Sequence, residues 1–243
     1  RSSVFEALDK LGAAEILTEQ KNILIKPNLV DDAPPPVTTP PPCCGAIVEY
    51  LKQNCPAASI VIAEGTGSKE YETDHIFESL GYTQLSEKYS VPLTDLHHCP
   101  LRRLENPACP VFPEIYLPEI AFTHYIISVP TLKAHSLAVF TGTLKNMMGF
   151  APPAHYSGRY GTWKKAVFHN RMQQSLIDLC SYRLPDLTIM DASVGLPEYH
   201  LGGRKCSPPV NRIIAGFDPF QADRLSCELL EIDWRTVKHL NPQ

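Results

Sequence analysis

At 243 residues the chain is long enough for one α/β domain with a full core, and its 22 basic and 26 acidic side chains give a formal charge of −4. That balance argues against a nucleic-acid or anionic-membrane partner and leaves room only for a local basic pocket. No apolar run approaches the roughly 18 residues of a membrane span. No signal peptide is visible, and a soluble, cytoplasmic protein is expected, although a sequence that starts at Arg1 without Met leaves its true beginning open.

The eight cysteines (43, 44, 55, 99, 109, 180, 206 and 227) contain no C-x-x-C pair and no zinc or ferredoxin spacing. They read as scattered structural thiols, Cys180 and Cys227 at apolar helix positions where a thiol acts as a small hydrophobe.

In chain order, Ser2 to Leu11 reads as a helix capped by Ser3 and closed by Gly12. The first strand is NILIK, 22 to 26, running into Pro27 and Asn28. Residues 31 to 42 carry two proline triplets, which exclude helix and sheet and predict an extended surface loop or lid. Cys43 to Asn54 reads as a helix and SIVIA, 59 to 63, as the second strand, delivering Glu64 into Gly65-Thr66-Gly67-Ser68. Glycine there lets backbone N–H groups such as that of Gly65 approach a ligand, although such a pair is more often a plain turn.

Thr73 to Leu80 is a predicted helix capped by Thr73, and 92 to 96 a predicted strand. Residues 97 to 118 show no period, and His97-His98-Cys99 lacks the converging ligands of a metal site. Tyr125 to Val129 is short, β-branched and stopped by Pro130, the pattern of a buried parallel strand. Lys133, His135, Lys145 and Asn146 follow in an otherwise apolar segment, where charged groups need partners and a bound anion is one. A Pro, Gly and Tyr loop from 151 to 161 precedes one long helix, 164 to 182, carrying His169. LTIM, 187 to 190, ends at Asp191. The strand 211 to 216 leads to Asp218-Pro219, an N-cap and first-turn proline, and the helix so started carries Asp223. The terminal DWRTVKHL reads as a last helix.

Helices alternating with buried strands predict a single α/β domain with a mostly parallel sheet covered on both faces. The strands starting at 22, 59, 125, 187 and 211 each give way to polar groups: Lys26 with Asn28, Glu64, Lys133 with His135, Asp191, and Asp218. In a parallel sheet these ends share one edge, where ligands bind. Helix capping explains Asp218 and Asp191 equally well. It does not explain Lys26, Lys133 and Lys145, which together suit a carboxylate or phosphate. Taken singly, Lys133 as a surface lysine, His135 as a satisfied buried imidazole and Asn146 as a helix-end residue are equally good readings. No G-x-S-x-G and no strand followed by G-x-G-x-x-G occurs, which removes the hydrolase elbow and the dinucleotide fingerprint.

At these residues the chain resembles the family called domain of unknown function 362, whose members are often described as iron-sulfur-associated. The matching pieces are IKPNLV at 25 to 30, IAEGTG at 62 to 67, FESLGY at 77 to 82, IISVPTLKAH at 126 to 135, TLKNMMG at 143 to 149, His169, LTIMDASVG at 187 to 195 and DPFQAD at 218 to 223. The resemblance implies a shared core of Lys26, Asn28, Glu64, Lys133, His135, Lys145, Asn146, Asp191, Asp218 and Asp223, without implying a reaction. The chain departs from the family's Gly-x-Gly-Pro loop with Gly195-Leu196-Pro197 and then Gly202-Gly203, and it lacks the ferredoxin-like cysteine module many relatives carry. No iron-sulfur cluster of its own is therefore expected.

The leading expectation is an enzyme. Lys133, His135, Glu64 and Lys145 are its catalytic candidates, and Lys26, Asn28, Gly65, Asn146 and His169 are expected to bind a small anionic substrate. A divalent metal on Asp191, Asp218 and Asp223 is the cofactor left open. The alternative is a non-catalytic accessory protein that meets an iron-sulfur partner through the proline loop and exposed cysteines.

Overall fold

The computed structural model describes residues 1–159 and 163–241; the end of the loop expected from 151 to 161 lies outside them. Among the described residues there are ten strands: β1 (Asn22–Pro27), β2 (Ser59–Glu64), β3 (Leu93–Asp95), β4 (Leu101–Glu105), β5 (Glu114–Pro118), β6 (Tyr125–Val129), β7 (Thr131–His135), β8 (Val139–Thr141), β9 (Leu187–Leu196) and β10 (Arg212–Gly216). Eight form one mixed, mostly parallel sheet, while β4 and β5 make a separate antiparallel pair. β1 lies between β2 and β6 and is parallel to both. The chain builds outward through β2 to β3, then returns to place β6 on the other side of β1. That reversal opens a crevice at the C-terminal ends of β1 and β6.

The β-branched runs read as strands because both of their faces are covered. Beyond its first residue β1 is buried throughout, and so is β2. Side chains alternate between the two layers: Ile23, Ile25, Ile60 and Ile62 meet the helices Ser2–Lys10 and Pro41–Asn54, while Leu24, Val61 and Ile126 meet the helix Met172–Tyr182. A third cluster joins Leu132, Met190 and Ile214 to the helix Pro219–Leu229.

Several boundaries differ from the expectations. β6 ends at Val129, before Pro130, as expected, but the pairings Ser128 with Thr188 and Thr131 with Asp191 share one register, so β7 continues in line with β6 along β9. Proline removes only a donor, and the Pro130 carbonyl still accepts from the Asp191 N–H at 2.9 Å. β9 is correspondingly long, which leaves Asp191 in mid-strand rather than at a strand end. The helix expected over 164–182 is two helices, Ala166–His169 and Met172–Tyr182, separated by non-helical Arg171. Thr73 does not cap its helix; Glu72 holds the N-cap position, and the Thr73 hydroxyl donates to Asp95 at 2.8 Å. Arg1, not Ser3, occupies the first N-cap, and the terminal segment forms two 3-10 turns instead of a helix.

One difference moves a candidate out of the site. β10 is antiparallel to β9, so its C-terminal end lies at the opposite edge of the sheet from those of β1, β2 and β7. Asp218 therefore leaves from the far side. It is exposed and accepts from the N–H groups of Phe220 and Gln221 as an N-cap.

Among the described residues, no helix is long and apolar enough to cross a membrane.

Candidate functional site

A cavity of about 530 Å³ opens at the C-terminal edge of the parallel strands, lined by Lys26, Asn28, Glu64, Gly65, His135, Lys145, Asn146 and His169 among others. Eight of the nine residues proposed as catalytic or substrate-binding thus meet in one hollow, and the ninth, Lys133, lies directly beneath it.

The first half of the site is closed on itself. Lys26, penultimate in β1, donates from Nζ to Glu64 Oε1 at 2.6 Å and to Asn146 Oδ1 at 3.1 Å. Asn146 returns two hydrogen bonds through Nδ2, to the Lys26 carbonyl at 3.1 Å and to Ser128 Oγ at 3.0 Å. The register that sets Lys26 opposite Ser128 places these groups together. Glu64 also accepts from the Gly65 N–H on Oε1 and the Leu29 N–H on Oε2. Burial lowers the Lys26 pKa, and the neighbouring Glu64 opposes that shift. With three donors on Glu64 and three acceptors around Lys26, neither is a free acid or base.

Lys133 is likewise engaged. Its Nζ donates to Asn28 Oδ1 at 2.7 Å and to the Val37 carbonyl at 2.6 Å. Burial, helped by the positive charge of Lys145, lowers its pKa to about 7. Through Val37 it fastens the proline loop, which Thr39 pins a second time by donating to the Val129 carbonyl at 2.6 Å. The loop is therefore latched by packing, with Val37, Thr38 and Thr39 buried and Asp31 and Asp32 on the cavity wall.

Backbone closeness holds this half together. A Cβ at Gly149 would stand 2.2 Å from Glu64 Oε1 and 2.3 Å from Lys26 Nζ; one at Gly65 would stand 2.3 Å from the Gly149 carbonyl. The glycines of TLKNMMG and IAEGTG are there to let two chain segments touch. Gly65 does not offer its N–H to a ligand, because Glu64 takes it.

Lys165, which sequence reasoning did not single out, seals the same seam. Its Nζ donates to the carbonyls of Gly65 and Ala151 at 2.9 and 3.1 Å and to His97 Nε2 at 3.0 Å. Burial lowers its pKa to about 7. Burial, with the charge of Lys165 next, lowers that of His97 to about 2.

The second half is open. Lys145 sits on the short helix Thr143–Asn146, whose first N–H groups, Thr143 and Leu144, donate to Asp223 at 2.7 and 3.0 Å. Burial pushes the Asp223 carboxyl up to about 7. Asp223 thus aims the helix that carries Lys145 and Asn146. Lys145 Nζ has no hydrogen bond or ion pair among the described residues, and burial alone lowers its pKa to about 8.

Three imidazoles surround it. His135 Nδ1 accepts from the N–H groups of Leu137 and Ala138 at 3.0 and 3.1 Å, which assigns its proton to Nε2. Burial, then the charge of Lys145, pushes its pKa far down, so it is a neutral donor. His169 is the reverse: Nδ1 faces the Lys165 carbonyl at 3.0 Å and carries the proton, leaving Nε2 as an acceptor. Burial lowers its pKa as well. His200 stacks on His135 with ring centroids 3.8 Å apart, and its Nδ1 is buried without a partner. Burial and Lys145 lower its pKa to about 3. His200 was not anticipated either, since it lies in an aperiodic glycine loop that carries no spacing signal.

The three aspartates do not converge. Asp191 accepts from the Ser193 N–H within β9, Asp218 caps a helix at the opposite edge, and Asp223 is bound to the helix beneath Lys145. Among the described residues, no group of three or more His, Cys, Asp or Glu is arranged to hold a metal ion. The exposed cysteines expected for a protein partner are not found: five of the eight are buried, three are half-buried and all are free thiols.

A family model described as "Domain of unknown function (DUF362)" matches residues 23–228. No curated protein sequence matches the chain. Among solved structures, the chain is similar to the lactate racemase apoprotein of Thermoanaerobacterium thermosaccharolyticum, with a TM-score of 0.60 and 14% identity. The match covers 95% of this chain and 54% of that one, so this chain spans about half that protein's length, and the likeness is one of fold.

Proposed function

The chain belongs to the domain of unknown function 362 family, and from that premise we propose that it is an enzyme whose cavity binds a small anionic substrate, a carboxylate or a phosphate. The observation that carries this reading is Lys145, an ammonium facing a cavity of about 530 Å³ with no hydrogen-bond or ion-pair partner among the described residues. Lys145 is half-buried, so its ammonium is partly stripped of water without a counter-charge and gains from an arriving anion. Lys26, Lys133 and Lys165 lie in the same neighbourhood and already have acceptors. Of the lysines at the floor of the cavity, Lys145 is therefore the one left to anchor a substrate.

The imidazoles supply what would follow. His135 presents an Nε2–H and His169 an Nε2 lone pair, each fixed in its tautomer by backbone groups. A neutral donor and a neutral acceptor beside one ammonium form a set suited to moving a proton to or from a bound anion. Glu64 then acts as a positioning group for Lys26 and Asn146 rather than as the base.

Calorimetric titration with acetate, malonate and inorganic phosphate tests the reading. At least one should bind the wild type and not Lys145→Met, with the melting temperature of the variant no lower. The reading fails if none binds, or if Lys145→Met binds as the wild type does.

A further inference from the structure

The mouth of the cavity is unlike its floor. Eight large apolar side chains are exposed among the described residues, and four of them, Leu137, Trp163, Tyr199 and Leu201, line this one cavity. A monomer surface scatters such residues singly, and a cluster around a hollow marks a contact surface. Two of the four are mounted on the polar floor: Trp163 meets His169 edge-on at 5.2 Å, and Tyr199 meets His200 at 4.7 Å, with His200 stacked in turn on His135. Two aromatic runs, Trp163–His169 and Tyr199–His200–His135, therefore lead from solvent to the groups around Lys145 and together form an aromatic wall.

Charge narrows the ligand further. Asp31, Asp32 and Glu70 line the cavity with Lys69 and Lys164, of which Lys69 lies over the Trp163 ring and Lys164 is bonded to the Tyr71 carbonyl and Glu72. Lys164 is compensated by Glu72, so the three carboxylates face one further cation, Lys69, and a ligand carrying several negative charges along its length would meet a net negative mouth. One with a single anionic head would not.

We infer that the cavity is built for a monoanionic carboxylate with a flat apolar body, an aryl carboxylic acid, its head on Lys145 and the Nε2–H of His135 and its ring between the aromatic wall and Leu137. The inference rests on the proposed anion-binding reading and adds the chemical class of the ligand. An aryl body both fills a hollow of this volume and uses the edge-to-face geometry of the wall.

Calorimetry with acetate, phenylacetate and 1-naphthylacetate, and with 1-naphthylacetamide as the uncharged counterpart, separates the two readings. Affinity should rise in the order acetate, phenylacetate, naphthylacetate, by at least about tenfold overall from the added apolar area. The amide should bind more weakly than its acid. The Trp163→Ala, Tyr199→Ala double variant should bring the naphthylacetate-to-acetate ratio toward one. If the three acids bind with equal affinity and all lose it in Lys145→Met, the aryl inference is wrong and the anion reading survives. If the size preference persists undiminished in the double variant, the wall is not its source and the inference is again overturned. If no acid binds, both readings fall together.

Discussion

The two halves of the site use the same residue types to opposite ends. On the β1–β2 side every polar atom of Lys26, Glu64 and Asn146 named above has a protein partner, and the ion pair is sealed from solvent. On the side of the helix Thr143–Asn146, neither Lys145 nor the buried Nδ1 of His200 has one among the described residues. A saturated cluster fixes geometry; an unsaturated one reserves its hydrogen-bonding capacity for something else. Lysine content alone does not distinguish them, and the partner count of each ammonium does.

The largest effect expected from breaking this contrast is on the saturated side. Lys26→Met strands the Glu64 carboxylate and should cost about 3–5 kcal/mol in urea unfolding, the range for removing one member of a buried pair. Replacing Glu64 by Gln in the same chain should restore much of the loss, because the uncompensated charge is then gone while the side-chain oxygen still accepts from a backbone N–H. A loss below about 1 kcal/mol for the single variant would mean that the pair is not sealed from water.

Gly149→Ala comes next. The new methyl lands on Glu64 Oε1 and Lys26 Nζ, both held by short bonds and unable to swing aside, so about 1–3 kcal/mol should be lost to overpacking. Gly67→Ala is the matched control: its methyl would stand 3.3 Å from Val30 Cγ2, the end of a side chain that can shift by a few tenths of an ångström. Equal destabilisation by both would show that the close approach at Gly149 is not specific to the ion pair.

Lys133→Met should cost about 1–3 kcal/mol by leaving Asn28 Oδ1 and the Val37 carbonyl without their donor. Its distinguishing readout is local: amide hydrogen exchange should accelerate over residues 31–40, which lose their latch, while β2 stays protected. Uniform acceleration across the chain would assign Lys133 to global stability instead.

How much of this was readable beforehand follows from what each feature depends on. The buried strands and the gathering of Lys26, Glu64, His135 and Lys145 were legible, because a strand covered on both faces is written as a β-branched run and parallel strands bring their ends to one edge. Strand direction was not, since the apolar pattern of 212–216 is the same in either sense; hence the misplacing of Asp218. The passage of β6 into β7 was hidden by Pro130, whose missing donor costs nothing where only its carbonyl is used. Glu64 and Asn146, the side-chain partners of Lys26, lie 38 and 120 positions away, and no local pattern encodes them. His200, Trp163 and Tyr199 lie in aperiodic segments without any such signal, and Lys165 stands at the start of the helix expected over 164–182, where nothing marks it from any other helix lysine.

The smallest stability effect belongs to Lys145→Met, and its sign is the sharpest statement of the contrast. Burial holds the Lys145 pKa at about 8 in the folded chain, against the usual lysine value of about 10.4 when unfolded. Between those values the unfolded state binds more protons, so this group makes stability rise as pH increases from about 8 toward 10.4, and below 8 its full charge is a standing penalty. Lys145→Met removes that penalty. The variant should be as stable as the wild type or slightly more so at pH 7, and the difference should shrink as the pH rises above 8. Anion affinity should move the other way: in the wild type it should fall above pH 8 as the ammonium loses its proton, and in the variant it should be absent throughout. A Lys145→Met protein that melts well below the wild type at pH 7 would place this lysine with Lys26 and Lys133 as a structural group, and would leave the cavity without its anchoring charge.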